Sequence, residues 1–440
     1  MKAKAEKAAK VASRFLITGF LQGARWRLSI VLEAGQAVTA GIALCIQDRP
    51  DIELCHFYND TVMIGSMKPR RKGNAVSLFI VMVILSACGG RCSNPMTEHY
   101  VALDEHNLDS SLAERIRDVS FLALETNDIT QFGSIDKIAF ENDLIYIGDY
   151  ALGKILVFGM DGRSRFVLDR QGRGPGEYLR IQSFAVDDDD LFLLDNTLRR
   201  IFVYDCHSGD FRYEVHAPVV AWDMECLGNG DFIFAFAPME QGGLKKTQPL
   251  NRVFVADGDF KIRKKMFEYS KGEFDLLGFP HGRYLYTCGD KLVHGSFKDN
   301  GYHLFSRENG EYVETAIFGF KNGIPRRRLL DRSVLDTDCT HLISCPLMCR
   351  NYVAFEISMK DFTDWCVYDY GTERAFTNSR KCARNFVFDL IGSYGDSFVG
   401  FLQDSVFYSS LTAGGFSRAD PAAEAAILRD EPALIFYHMK

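Results

Sequence analysis

Leu144–Phe158 reads LIYIGDYALGKILVF, and Asp190–Tyr204 reads DLFLLDNTLRRIFVY. Set one beneath the other, the two stretches align without a gap at an offset of 46 residues. Tyr146 falls on Phe192, Asp149 on Asp195, Lys154 on Arg200, Ile155 on Ile201 and Phe158 on Tyr204. Each stretch holds two strand-length runs rich in Ile, Leu, Val and aromatics, separated by a polar turn headed by Asp. A period in the forties, with room for four short strands per unit, predicts the blade of a β-propeller.

The same register extends outward. Ile135–Phe140 precedes the first copy and Ile181–Val186 the second, each a further apolar run. Asp161-Gly162 and Ser208-Gly209 follow the two copies at hairpin positions, where a residue must adopt positive φ. Between the units lies Gln171-Gly172-Arg173-Gly174-Pro175-Gly176-Glu177-Tyr178. Three glycines and a proline suit neither a helix nor a strand, so this loop reads as the crossover between two blades.

Later units are weaker copies, at Val219–Tyr269, Leu276–Phe318, His341–Thr377 and Phe386–Lys440. An insertion at Glu240–Leu250 splits the third unit, a charged connection with Arg326-Arg327-Arg328 precedes the fifth, and a helical stretch from Pro421 to Leu428 interrupts the last. The count is six. The strand around Phe121 and the one around Phe436 lie at opposite ends of the domain and are expected to complete one blade, because closure removes exposed sheet edges. The fold expected is all-β, a six-bladed propeller of four-stranded antiparallel blades over residues 117–440.

Composition narrows the function. The net charge is −7, which argues against a nucleic-acid partner, since phosphate backbones require a basic surface. Of 12 cysteines, Cys45 and Cys55 lie before a targeting segment and Cys88 lies at its processing site. The rest show no CxxC pair. Cys339, Cys345 and Cys349 gather near His341, but the spacing is loose for zinc, and buried small side chains are the preferred reading.

The targeting segment is Met67–Ala87. A basic run, Lys68-Pro69-Arg70-Arg71-Lys72, precedes the apolar Ala75–Leu85 and then Leu85-Ser86-Ala87-Cys88. That order is a secretory signal, and the apolar core is short for a membrane span. The small residues before Cys88 resemble a bacterial lipobox. The resemblance implies that Cys88 is lipidated and becomes the first residue of the mature chain, anchored by its acyl groups. A signal belongs at a start, so residues 1–66, where Phe15, Leu16, Phe20 and Leu21 have helical spacing, are expected to be a mis-called upstream extension. Residues 88–116 read as a polar tether with a helical turn or two near Leu108–Arg117.

With these features the chain resembles the six-bladed β-propeller lipoproteins of Bacteroidota, of the NHL and TolB-like kind. The likeness is sharpest over residues 119–205, on the glycine loop and on LFLLDNTLRRIFVYD at Leu191–Asp205. It implies a cell-envelope protein on the periplasmic face or the surface of the outer membrane. It implies no particular activity, and fold alone licenses none.

Propeller ligands sit where loops converge on a channel mouth, so residues near the starts of innermost strands are the candidates. These are Arg173, Glu177, Arg180, Trp222, Asp223, His281 and Arg350, an Arg, aromatic and carboxylate set suited to a carbohydrate, a small anionic ligand or an envelope protein. The glycine loop lacks the Lys-Ser/Thr of a nucleotide cradle, and Asp187–Asp190 reads as a solvated turn rather than a calcium site. No nucleophile elbow, HExxH or matched carboxylate pair is present. The sequence therefore nominates no catalytic residue, metal or cofactor. A lipid-anchored binding or interaction module is the preferred reading; a metal-dependent hydrolase or lyase of the six-bladed type is the alternative.

Overall fold

The structure is a computed structural model. It describes residues 97–440 apart from 239–250, 270–272, 360–361, 379–388 and 403, together with four strands between residues 12 and 56. The chain divides into two compact units, Met1–Cys92 and Ser93–Lys440. In the first, β1 (Ala12–Leu21), β2 (Ala24–Glu33), β3 (Thr39–Ile46) and β4 (Leu54–His56) form an antiparallel meander. The helical spacing noticed at Phe15–Leu21 is overridden there. Within β2, Arg25, Arg27 and Ser29 alternate with Trp26, Leu28 and Ile30, a period of two that belongs to strands. The signal segment, Cys88 and the Glu240–Leu250 insertion lie outside the described residues.

The second unit is a six-bladed β-propeller. Blade 1 runs from its inner strand outward as Lys137–Glu141, Leu144–Asp149, Lys154–Gly159 and Ser164–Leu168. Blade 2 follows as Ser183–Asp187, Asp190–Asp195, Arg200–Asp205 and Phe211–His216, its first three strands in the predicted register. The inner strands of blades 3 and 4 are Asp223–Cys226 and Leu285–Cys288. That of blade 5 is split into His341–Leu342 and Leu347–Cys349, both paired to Tyr352–Met359. Blade 6 contains Leu390–Tyr394, Ser397–Leu402 and Ala433–Met439, and its outer strand is Ile116–Ala123 from the other end of the domain. Ile435 lies opposite Phe121 and Leu434 opposite Leu122, so the expected closure is formed. Neighbouring inner strands touch around the whole ring, and the last meets the first.

Two features escaped the sequence. Within the expected tether, Glu98–Leu103 forms a strand parallel to Tyr312–Phe320 at the outer edge of blade 4. In blade 6 a helix at Ser405–Ala413 precedes the anticipated one, Pro421–Ile427. Asp404 and Asp420 cap their first turns by accepting backbone N–H bonds. Leu112–Arg115 is a single 3-10 turn.

Turn chemistry holds the blades together. Gly162 has φ of 75°, and a Cβ there would meet the carbonyl oxygen of Ala123 at 2.1 Å. Only glycine lets this turn pack against the closing strand. Within blade 4, His294 and His303 are buried opposite one another on adjacent strands with near-parallel rings 5.4 Å apart, and the Phe267 ring stacks on that of His303 at 3.8 Å. Burial, and then the neighbouring His303, hold His294 well below the usual histidine range. The unfolded chain therefore binds a proton that the folded one refuses. Stability from this group is present above about pH 6.5 and falls by up to about 1.4 kcal/mol per pH unit below it. Urea unfolding of His294→Phe at pH 5 and pH 7.5 should show a smaller loss on acidification than the parent chain.

Candidate functional site

Because successive strands alternate direction, the crossovers between blades emerge on one face of the ring and the first hairpin of every blade on the other. Trp222, Asp223 and His281 belong to the crossover side. The crossover from blade 3 to blade 4 reaches over the channel axis. His281, at φ of 58°, hydrogen-bonds through Nδ1 to Asp136 of blade 1. Arg283 donates to the carbonyls of Ile391 (2.8 Å) and Ile135 (3.4 Å). Asp136 also accepts from the backbone N–H of Tyr150 at 2.6 Å. Burial opposes ionisation of Asp136, yet the bonds from His281 and Tyr150 outweigh it and hold the carboxyl below the usual range. This mouth is spanned by the protein's own loop.

Below the loop, the axis is filled by a charged cluster. Asp223 and Glu225 are two residues apart on one strand and so share its channel face. The Lys137 ammonium, across the ring on blade 1, donates to Asp223 Oδ1 (2.9 Å), Met224 O (2.8 Å) and Ser183 Oγ (3.3 Å), and pairs with Glu225 Oε1 at 2.7 Å. Ser183 donates to the same Asp223 oxygen at 2.6 Å. Asp223 Oδ2 accepts from the N–H groups of Tyr284 and Leu285, both at 2.9 Å. Burial disfavours the charged Lys137, but the two carboxylates more than offset it and raise its pKa. Blades 1, 2, 3 and 4 thus meet on one ammonium and one carboxylate.

On the hairpin side the channel opens into a small chamber. Lys137 and Glu225 lie at its base, and Tyr286, Cys288 and Ser393 line its wall. Arg307, ion-paired to Glu141, and the Phe140–Tyr394 ring pair, 4.8 Å between centroids, stand toward the mouth. Tyr394 is 41% exposed. Polar groups converging among aromatic side chains are what a small-molecule site requires.

The predicted site residues divide accordingly. Asp223 is buried in the axial cluster, and Trp222 and His281 belong to the loop-spanned mouth. Trp222 donates from Nε1 to Ala237 O at 2.9 Å. Arg173 and Arg180 are exposed on the crossover between blades 1 and 2. Arg350 is not with them. It follows Leu347–Cys349, at the first hairpin of blade 5, and pairs with Asp396 on the opposite face. The break in the blade 5 inner strand shifts that strand C-terminally, so a residue expected near its start sits past its end. Lys137, Glu225 and Arg307 were missed. The only signal was a lysine in the innermost apolar run, where its counterpart 46 residues on is Ser183.

The glycine loop is a crossover, as read. Glu177 turns inward, and its carboxylate accepts the N–H of Gly174 at 2.7 Å. Tyr178 is fully buried and donates to Gly153 O at 2.7 Å. Gly176 has φ of 71°, and a Cβ there would meet the Phe211 ring at 2.5 Å. Gly176→Ala is expected to cost about 2 kcal/mol from strain and contact, whereas Arg173→Ala stays within about 0.5 kcal/mol; chemical denaturation of both checks the contrast. Asp187–Asp190 forms the first hairpin of blade 2, with Asp188 at φ of 48°. Cys345 and Cys349 are buried. Among the described residues no three His, Cys, Asp or Glu side chains are grouped to hold a metal ion.

Comparison with known proteins agrees with this architecture. A protein of Bacteroides fragilis assigned as exported has a similar structure, at 19% identity and a TM-score of 0.62, with 78% of this chain and 100% of that chain covered. BamB from Moraxella catarrhalis matches at 14% identity and a TM-score of 0.35, over 59% of this chain and 66% of that one. No curated protein matches. A family profile described as 6-bladed beta-propeller matches residues 92–324, more than half of the sequence. With six four-stranded blades closed by the strand at Ile116–Ala123, this chain belongs to that 6-bladed beta-propeller family.

Proposed function

We propose that this chain is a lipid-anchored cell-envelope binding or interaction module that takes a small polar ligand, such as a carbohydrate, at the hairpin-side mouth of its channel. The observation that carries the reading is the chamber over Lys137 and Glu225, lined by side chains from blades 1, 3, 4 and 6. It is concave, lies on the axis and has aromatic and charged groups together. The crossover-side mouth is a poorer candidate because His281 and Arg283 already span it.

Address is part of the proposal. The basic run, apolar core and Cys88 support export and acylation, and the Bacteroides fragilis protein of similar fold is described as exported. Fatty-acid labelling of the full chain and of Cys88→Ser tests the anchor; label retained by the variant would sink it. Calorimetry of the full chain against a panel of sugars and small metabolites tests the site. Binding should weaken at least tenfold in Tyr394→Ala. Ligands that bind equally to that variant place the site elsewhere.

A further inference from the structure

Blade 4 carries a second cleft, of about 420 Å³, at its rim on the crossover side. It shares no lining residue with the chamber. Three parts of the chain build it. The turn Phe297–Asn300 joins the second and third strands of the blade. The outer strands Tyr312–Phe320 and Glu98–Leu103 supply Ile317, Gly319 and Tyr100, and the crossover to blade 5 brings Ile324, Leu329 and then His341. Gly319 is what admits Tyr100: a Cβ there would meet the Tyr100 hydroxyl at 1.7 Å, so the phenol lies across bare backbone. The charges in the cleft are already engaged. Lys298 pairs with Glu273 at 2.8 Å, Asp299 accepts from Ser296 at 2.6 Å and pairs with His303 at 3.4 Å, and Lys321 pairs with Asp104 at 2.9 Å. The Asn300 amide donates to Phe318 O and accepts from the N–H of Leu342. His341 differs. It is 6% exposed, and its Nδ1 lies 3.2 Å from Cys339 O. That oxygen only accepts, so Nδ1 carries the proton and Nε2 keeps the lone pair. With Nδ1 turned to the backbone, Nε2 is the nitrogen left to the cleft that His341 lines. Among the described residues Nε2 has no partner.

From this buried, unpaired acceptor in a cleft whose charges are already matched, we infer a second ligand site, for a neutral ring compound that donates a hydroxyl to His341 Nε2. The site is independent of the chamber. Its volume falls in the range of small-molecule pockets, roughly 300–1,000 Å³. Phe297, whose ring centroid is 6.0 Å from that of His341, forms the apolar wall with Ile324 and Leu329. Burial outweighs the bond to Cys339 and holds the His341 ring below the usual histidine range, so the lone pair is free at neutral pH. An ion would have to compete with the existing pairs, whereas a hydroxyl meets an acceptor that nothing else fills. An ether of the same shape leaves that acceptor buried and unsatisfied.

2-Naphthol and 2-methoxynaphthalene test the inference, since they present the same rings and only the first donates a hydrogen bond. Ligand-observed NMR titration of the full chain should show the naphthol binding about tenfold more tightly, the worth of one hydrogen bond to a buried acceptor. His341→Phe keeps an aromatic ring, deletes the lone pair and should erase that margin. His341→Gln supplies an acceptor again and should recover part of it. Leu329→Trp fills the cleft from the crossover, outside the inner strands, and should abolish binding of both compounds; it decides the matter if the His341 variants do not fold. Equal affinity of the two compounds for the parent chain, a margin that survives in His341→Phe, or binding untouched by Leu329→Trp overturns the inference. So does failure of both compounds to bind.

Discussion

Replacing Lys137 with Ala is expected to lower the stability of the propeller by about 3–5 kcal/mol, the range for breaking a buried ion pair from one side. The ammonium is the only cation in contact with Asp223 and Glu225 among the interactions described at the axis. Its removal leaves two carboxylates on the axis without the charge that made their burial tolerable. Hydrogen bonds to the N–H groups of Tyr284 and Leu285 would still hold Asp223, so the loss should fall mainly on the contacts to Ser183, Met224 and Glu225. A triple variant, Lys137→Met with Asp223→Asn and Glu225→Gln, removes charge of both signs and should recover part of the loss. Urea unfolding of the four chains checks this. A cost below about 1 kcal/mol for Lys137→Ala would mean that water reaches the axis and solvates the carboxylates.

The importance of Lys137 was hidden for a physical reason. Its partner Asp223 lies 86 residues away, and the two meet only because blades 1 and 3 face a common axis. A repeat read along the chain shows what recurs in each blade, whereas an axial cluster is built from residues that differ between blades. Strand order, blade number and the closure of Phe121 on Ile435 were legible because each is written into a local pattern of apolar runs and turns. The strand at Glu98–Leu103 was not, since EHYVAL is half polar and alternates poorly, and it is fixed by a long-range parallel pairing with Tyr312–Phe320. The site suffered similarly. Trp222, Asp223 and His281 were rightly placed near the axis, but their side chains serve the loop that spans one mouth. Arg350 was displaced to the other face by the split inner strand of blade 5. The repeat gave no warning of either, because both are departures from it.

What the repeat did mark is the aspartate that heads the turn in both opening copies, and it supports the second large prediction. Asp195 is fully buried. One carboxylate oxygen accepts from the N–H groups of Thr197 (2.7 Å) and Leu198 (3.0 Å) in its own turn. The other accepts from Leu179 (2.8 Å) and Arg180 (3.2 Å) in the crossover that follows the glycine loop. Asp149 repeats the arrangement in blade 1, with Leu152 at 2.8 Å on one side and Gly133 at 2.8 Å on the other. The carboxylate is a clamp that fastens each crossover to the second strand of its blade, and it needs two oxygens to face both ways. Asp195→Ala should cost about 3 kcal/mol, since four N–H donors lose their acceptor and those that water cannot reach carry the penalty. Asp195→Asn keeps one oxygen and should lose about half as much, with its amide nitrogen turned toward donors it cannot satisfy. The two clamps lie in different blades and share no partner, so the losses from Asp149→Ala and Asp195→Ala should add to within about 0.5 kcal/mol. Denaturant unfolding of the two single variants and the double variant decides the matter. A strongly non-additive result would show that the first two crossovers unfold as one unit, with blade 1 between them as the mechanical link.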